Sequence, residues 1–556
     1  MFSIAKKVFG IAAVATVSAG MAFGAATCVA GAAPVVGFIP LEQTNALLPQ
    51  FQITCSGGVT TDRVTIQAFI SPALPVTGKV VSSSAGTQEA VATTNAAATL
   101  PAGVVTDEGI LGVVSGSTIT FSNIALLSGS TTITISNVRV NPSSLSAGSG
   151  IPPSISISAF VSGPGAVPAA ISATTMAYAQ NGLGSVKSYK NGTINLASGV
   201  LTSPVSGASN FTVCNKTGPV NTTPTGSVAM VIQVNENYAQ GFRKGGQASQ
   251  VTSYLKATVA TALSNAPTTA DRLRITFNNV PAGVSLLVPK SVPAQTGSSA
   301  ALTGATTADA SNAALTSVGT TVAPAAVAYS ADVAAVSLTS GTGSVIYDLS
   351  TEDLAAIDQF NIPVFVNFSS NGATASATPM TATVSYAQVG TTQIPNFVVG
   401  TSTTALTGSL FNSCTTSLLF PFVTNQLGFD TGMAISNTSS DPFGTSGATA
   451  QAGTCSLNFY GSGAPTPANV TTPNVPTGTV YTQVLSGVAA GFQGYVIAQC
   501  TFQYAHGFAF ITNGVGVNGG LSQGYLAGVI PDVNQKSRGA DPLSAAGAGS
   551  GETLGN

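Results

Sequence analysis

A single imidazole, His506, limits the chemistry open to this chain of 556 residues. A Ser-His-Asp relay has to use it, because the histidine must take the serine proton while a carboxylate orients the ring. Gly520-Leu521-Ser522-Gln523-Gly524 matches G-x-S-x-G, an elbow that needs a strand before the serine and a helix after it. Here Gly-rich sequence precedes, a strand-like YLAGVI run follows, and His506 comes before Ser522 rather than after it. That pattern favours a Gly-rich turn at Ser522 and a strand position for His506. Asp430-Thr431-Gly432 matches the D-T-G of aspartic proteases, which need two carboxylates sharing a proton. No second D-T-G or D-S-G occurs, so Asp430 and Gly432 are expected to shape a turn between Phe422 and a strand at Met433 to Ser436.

Metal chemistry has little to build on. One histidine excludes H-E-x-x-H, and no D-x-D-x-D-G calcium loop occurs. Glu352, Asp353 and Asp358 cluster, and read as a solvated, helix-starting acidic face with at most an adventitious cation. Sugar enzymes lean on facing carboxylates and stacking aromatics, yet Trp is absent. Tyr460, Tyr481, Tyr495, Tyr504 and Tyr525 offer a stacking platform or, equally, core packing. Sequons at Asn191, Asn210 and Asn437 are what Ser/Thr-rich sequence supplies by chance. The expectation is no catalytic residue, no metal and no cofactor.

Six cysteines remain: Cys28, Cys55, Cys214, Cys414, Cys455 and Cys500. An exported chain with an even number favours disulfides, and six cysteines allow fifteen pairings. Cys28 with Cys55 and Cys455 with Cys500 are the economical choices, each within one expected domain, which leaves Cys214 with Cys414. Export is expected because residues 1–26 read as a signal peptide. Lys6 and Lys7 precede an apolar Val8 to Val17 run, and small residues follow at Ala22, Gly24 and Ala26. Thr27 before Cys28 argues against lipidation. No later run is long and apolar enough for a helical membrane span.

The elements that must position these residues are strands. Val64 to Ile70, Thr118 to Ile124, Thr132 to Val140 and Ser154 to Phe160 alternate with period two and are bounded by Gly, Pro, Ser and Asn. Val228 to Val234, Arg272 to Phe277, Ile362 to Phe368 and Met380 to Tyr386 continue the style. So do Cys455 to Tyr460, Tyr495 to Phe502 and Tyr525 to Ile530. Pro363 cannot donate to a ladder and predicts a strand start or a sheet edge. Arg272 to Phe277, the turn residues Asn278 to Gly283 and then Val284 to Val288 predict a hairpin-like unit with one wet face. Helices are expected only at Thr351 to Asp358, capped by Ser350, and at Ser253 to Leu263.

Low-complexity stretches near 145–153, 161–185, 294–316 and 461–478 suggest boundaries. The expected domains are 27–185, 186–405 and 406–535, with a disordered tail at 536–556. The fold class is all-β and multi-domain, with β-sandwich-like domains and few short helices.

The run LLFPFVTNQLGFDTGMAISNTSSDPFGT from Leu418 to Thr445 resembles a segment of secreted, functionally uncharacterised β-rich bacterial proteins. CSLNFYGSGAP from Cys455 and GFQGYVIAQCTFQYAHGFAF from Gly491 fit the same pattern, as do ITISNVRVN from Ile133, ENYAQGFRK from Glu236 and RLRITFNNVPAGVSLLVP from Arg272. The resemblance implies export and a β-rich build, and brings no catalytic or binding residue with it.

Composition then separates the function classes. The chain has 16 Lys and Arg and 18 Asp and Glu, and its net charge is −2. No cationic excess exists to neutralise phosphates, so nucleic acid is excluded as a partner. With 44% apolar residues, charge-driven disorder is excluded too. A surface of Ser, Thr, Ala, Gly and Val lacks the dispersed charge that keeps monomers apart, and little Lys guards the strand edges. The expectation is a secreted or cell-surface structural protein whose partner is itself, in envelope, matrix, adhesion or fibre. A module binding cell-surface or matrix polysaccharide is the alternative, and a secreted hydrolase comes third. An integral outer-membrane barrel is disfavoured by the cysteines and the long low-complexity spacers.

Overall fold

The computed structural model describes residues 25–530 apart from 60, 96–108, 147–149, 195–197, 214–227, 244–269, 296–297, 305–320, 323–326, 329–332, 369–372, 388–393, 399–402, 443–447, 449 and 515–519. The signal up to Gly24, the Ser253 to Leu263 helix, Cys214 and the tail at 536–556 lie outside these residues. Strands are the dominant regular element of the described residues, joined by turns and irregular segments, with two single-turn 3₁₀ segments at Pro142–Ser144 and Leu485–Gly487. This is the all-β, multi-domain architecture expected from the period-two runs.

Contacts divide the chain into two units. One holds the residues up to Asn181 together with Ile394–Asn396; the other holds Gly182–Gly245, Thr269–Gln393 and Phe397–Asn556. The first unit is built on an eleven-stranded sheet. Its path runs Thr27–Ala30, Phe51–Ser56, Ser130–Ser136, Thr87–Thr94, Ile110–Ser115, Thr118–Ala125, Arg63–Ser71, Ser154–Ser162, Ala169–Gln180 and Gly37–Pro40. Val80–Ser82 pairs beside it. Alternate side chains such as Ile53, Ile66, Phe121, Ile133 and Ile157 point inward and share one core. Ala26, assigned to the signal in the sequence, is buried and exchanges backbone hydrogen bonds with Gly165 and Val167.

The second unit contains two cores. In the central one, a six-stranded and a seven-stranded sheet enclose Phe277, Leu286, Tyr347, Phe360 and Ile362 among others. The central sheets take strands as late as Leu406–Thr407, and Phe411–Asn412 pairs with Phe211–Thr212. The C-terminal core lies between a five-stranded and a four-stranded sheet and begins at Thr416–Thr424.

Four local expectations are corrected. Arg272–Asn278 and Ser285–Pro289 do not form a hairpin: the first pairs with Thr342–Thr351 and Thr381–Ala387, the second with Gln359–Asn367. The Asn278 to Gly283 turn, with Asn279 and Gly283 at positive φ, carries the chain from one sheet to the other. Leu286, Leu287 and Val288 are therefore all buried, as a strand covered on both faces requires. Pro363 lies mid-strand in Gln359–Asn367, opposite Val231, rather than at a strand start or sheet edge. The ladder on its other side covers only Phe365 to Asn367, so one side of Pro363 carries no paired strand. The strand expected over Thr132 to Val140 is broken by Asn137 at φ 59°, leaving Arg139–Val140 as a separate pair with Ala46–Leu47.

Thr351 to Asp358 is not a helix. The Asp353 carboxylate takes the N–H groups of Ala355 and Ala356, which ends the segment as bends between two strands. Eight residues cannot repay helix nucleation when a side chain already satisfies those donors.

Candidate functional surface

The C-terminal sandwich holds Asp430, His506, Ser522 and the five tyrosines. Leu418, Phe420, Leu457, Phe459 and Val496 point inward from the larger sheet and meet Met433, Ile435 and Ala509 from the smaller one. Phe459 packs edge-to-face on Phe492 at 5.2 Å. Cys455 and Cys500 stand opposite each other on adjacent strands and are bonded. Cys28 and Cys55 repeat the arrangement in the first unit. Cys414 is also disulfide-bonded, while its expected partner Cys214 is outside the described residues.

The D-T-G segment is not the turn. Asp430, Thr431 and Gly432 open the strand Asp430–Asn437, and the reversal is made earlier by Leu427 and Gly428, both at positive φ. Thr431 is buried; its hydroxyl donates to the Thr424 carbonyl and accepts the Thr424 N–H. Asp430 accepts the N–H groups of Thr431 and Ser486. The motif thus joins two sheets by hydrogen bonds from its own side chains.

His506 and Ser522 do not meet. His506 pairs with Ser436 at one end of the strand Ala505–Thr512, and Ser522 pairs with Thr512 at the other. Six positions along a strand separate the ends by roughly 20 Å. Ser522 stands in the strand Ser522–Leu526 rather than in a Gly-rich turn, and its hydroxyl lies 2.9 Å from that of Thr512. No elbow or relay forms here.

Of the five tyrosines, two make an exposed pair. Tyr460 and Tyr495 face each other across adjacent strands with centroids 5.0 Å apart and rings 12° from parallel. Tyr525 instead donates to the Phe422 carbonyl, and burial pushes its phenol up to about 12. Tyr481 bonds Gln483. Near Tyr525 a cavity of about 490 Å³ opens between the sheets, lined by Phe422, Leu427, Phe429, Gln493, Leu521 and Gln523 among others, with no charged group. Its size falls in the range of small-ligand pockets.

The outer face of the smaller sheet carries apolar side chains among small polar ones and His506. Val480, Val484, Phe508, Phe510 and Leu526 are exposed on it, and Asp430 is its one acidic residue. The sequon at Asn437 points the other way: the side chain is buried, donating to the carbonyls of Gln451 and Val475.

The acidic cluster divides between solvent and core. Asp353 is partly exposed, and backbone N–H donors hold its carboxyl below the usual range. Asp358, expected on the same wet face, is buried against Ser298, whose hydroxyl donates to it. Burial raises it to about 6. Its neighbour is Glu236, which no catalytic or metal motif in the sequence marks. Glu236 accepts the N–H groups of Phe242 and Asp358, and burial raises it to about 7. Among the described residues no group of three His, Cys, Asp or Glu could hold a metal ion.

No protein-family model matches the chain, and no curated protein does. Among solved structures it is similar to the major pilin subunit of Bacillus cereus, at 8% identity over 80% of this chain and 88% of that one, with a TM-score of 0.18. The N-terminal region of an enterococcal surface protein gives 9% identity, 71% and 97% coverage and a TM-score of 0.18. A serine-rich repeat adhesion glycoprotein of Streptococcus agalactiae gives 8%, 65% and 91%, and 0.15. Superpositions at these scores do not amount to a shared fold.

Proposed function

We propose that this chain is an extracellular structural or cell-surface protein, without enzymatic activity, that associates with copies of itself. One observation carries the reading: an exposed, nearly uncharged sheet face of Val480, Val484, Phe508, Phe510 and Leu526 in the C-terminal sandwich. Contiguous exposed apolar surface marks interaction sites, and few charges stand nearby to oppose association. The signal-like segment and the bonded cysteines support an oxidising, external compartment. The resemblance of the Leu418 to Thr445 run to secreted bacterial proteins supports the same placement. Sedimentation and light scattering of the full chain across a concentration series test it. Growth of large species with concentration is expected, and a strict monomer up to the solubility limit overturns it.

A second reading, binding of neutral polysaccharide, is favoured by the stacked, exposed Tyr460 and Tyr495 and by a charge-free pocket lined by Gln493, on the same strand as Tyr495, and by Gln523. Aromatic faces with neighbouring amides suit uncharged sugars. A glycan array compared with a Tyr460→Ala, Tyr495→Ala double variant tests it, and silence of the unaltered chain across the array ends it.

A further inference from the structure

Almost every terminal strand in the described sheets is short or carries proline. The first sheet ends in Thr27–Ala30, whose Cys28 is bonded to the neighbouring strand, and in Gly37–Pro40. The central sheets end in Leu201–Ser206 with Pro204, Val333–Ala335, Ser291–Pro293 and Leu406–Thr407. The larger C-terminal sheet ends in Asn469–Thr471 and Gly528–Ile530, of 3 residues each. Short strands and proline are the usual guards against edge-to-edge pairing. The smaller C-terminal sheet has neither. Its edges, Val480–Val484 and Ser522–Leu526, each run 5 residues without Pro, Lys, Arg, Asp or Glu.

The two edges are complementary. Bonds from Ala527 N to Gly507 O and from Asn513 N to Leu521 O frame one ladder. Its hydrogen-bonded pairs therefore fall at Ala509 with Tyr525 and Ile511 with Gln523, so Ser522, Gly524 and Leu526 aim their N–H and C=O outward. On the opposite edge the bond from Asn437 N to Thr479 O sets the same alternation, and Val480, Thr482 and Val484 aim outward. The order Val480–Val484, Asp430–Asn437, Ala505–Thr512, Ser522–Leu526 is antiparallel throughout, so the two edges run in opposite directions. A four-stranded unit repeated side by side keeps that alternation without a break.

We propose that this sheet grows between copies by strand addition, the Ser522–Leu526 edge of one chain pairing antiparallel with the Val480–Val484 edge of the next. The partner is a second copy because each copy carries both halves of the match. Leu526 falls opposite Val480, Gly524 opposite Thr482 and Ser522 opposite Val484, all on the exposed face, so the pleat continues and the apolar stripe lengthens. The contact is head-to-tail and open-ended, which builds filaments rather than closed dimers. This inference rests on the self-association proposed above and names its surface.

Two single-edge variants of the full chain test it, Thr482→Pro and Ser522→Pro, each removing one outward N–H; Thr482→Lys and Ser522→Lys serve if proline disturbs the fold. Sedimentation is expected to show monomer for each variant alone and a two-chain species for their equimolar mixture, because one intact interface remains. A mixture that stays monomeric overturns head-to-tail pairing, and so does Thr482→Pro assembling alone through a Ser522–Leu526 edge paired with itself. If both variants assemble like the unaltered chain, the edges are not the interface, although self-association stands. A monomeric unaltered chain refutes the broader reading instead.

Discussion

Two buried carboxylates in this protein are stabilised by opposite means. In the first unit Glu89 meets Arg139 at 3.0 Å, with both side chains at most 1% exposed, and also accepts the Lys79 N–H. In the central sandwich Glu236 has no cation as its main partner; it is held by the N–H groups of Phe242 and Asp358 and lies beside a second acid. The Glu89 site resolves its burial by charge pairing, and burial pulls the Arg139 guanidinium below its ordinary value. At the Glu236 site backbone N–H donors hold the carboxyl instead, and burial raises it to about 7. A chain with so few charges uses them inside as structural fixtures, and the two solutions differ in what removes them.

The largest effect is expected at the ion pair. Arg139→Met leaves Glu89 buried without its guanidinium partner, at a cost of about 3–5 kcal/mol, read by chemical denaturation. Adding Glu89→Gln keeps an acceptor for Lys79 and restores most of the loss. Equal stabilities for the single and double variants contradict the pairing. A loss of similar order, set by donors rather than by charge, is expected at Glu236. Glu236→Ala orphans two buried donors, at about 1–3 kcal/mol each, whereas Glu236→Gln keeps one acceptor and costs less. If Ala and Gln prove equivalent, the backbone donors do not depend on the side chain.

A third measurement distinguishes the sites by pH. Glu236 is raised from 4.5 to about 7 and Asp358 from 3.8 to about 6, so the folded state holds protons that the unfolded state releases. Their contribution is complete below the unfolded values and is lost as pH rises through about 6 to 7. The melting temperature of the C-terminal and central domains together is therefore expected to fall between about pH 4.5 and pH 7, and Glu236→Gln to flatten that fall. A slope that Glu236→Gln leaves unchanged assigns the dependence to other groups.

Much of the fold could be read from the residues, because alternation of Ile, Val, Thr and Phe fixes strands wherever one face is buried. The Cys28 to Cys55 and Cys455 to Cys500 pairs followed from proximity in the chain. What could not be read was which strand pairs with which. Asn278 to Gly283 carries turn residues that serve a hairpin or a passage between sheets equally well, and only the burial of both faces at Leu286 to Val288 decides. Glu236 and Asp358 are 122 residues apart, so no local pattern joins them. Glu236 does begin the ENYAQGFRK run, and its bond to Phe242 gives that run a structural purpose. The open edges were anticipated only in general, through the scarcity of Lys; their direction and outward backbone groups belong to the folded sheet.

The cross-strand position of the disulfides has a mechanical consequence. Cys455 and Cys500 enclose a sequence separation of 45, and Cys28 and Cys55 one of 27. A pull along the chain reaches each bridge and passes through sulfur, bypassing everything between. At about 3.3–3.6 Å per extended residue, the C-terminal bridge alone withholds roughly 150 Å of contour length. The strands Cys455–Ser462, Val480–Val484 and Gln493–Cys500 lie within that withheld segment. Under tension one of the two open edges therefore sits on chain that cannot be drawn out until a covalent bond is reduced.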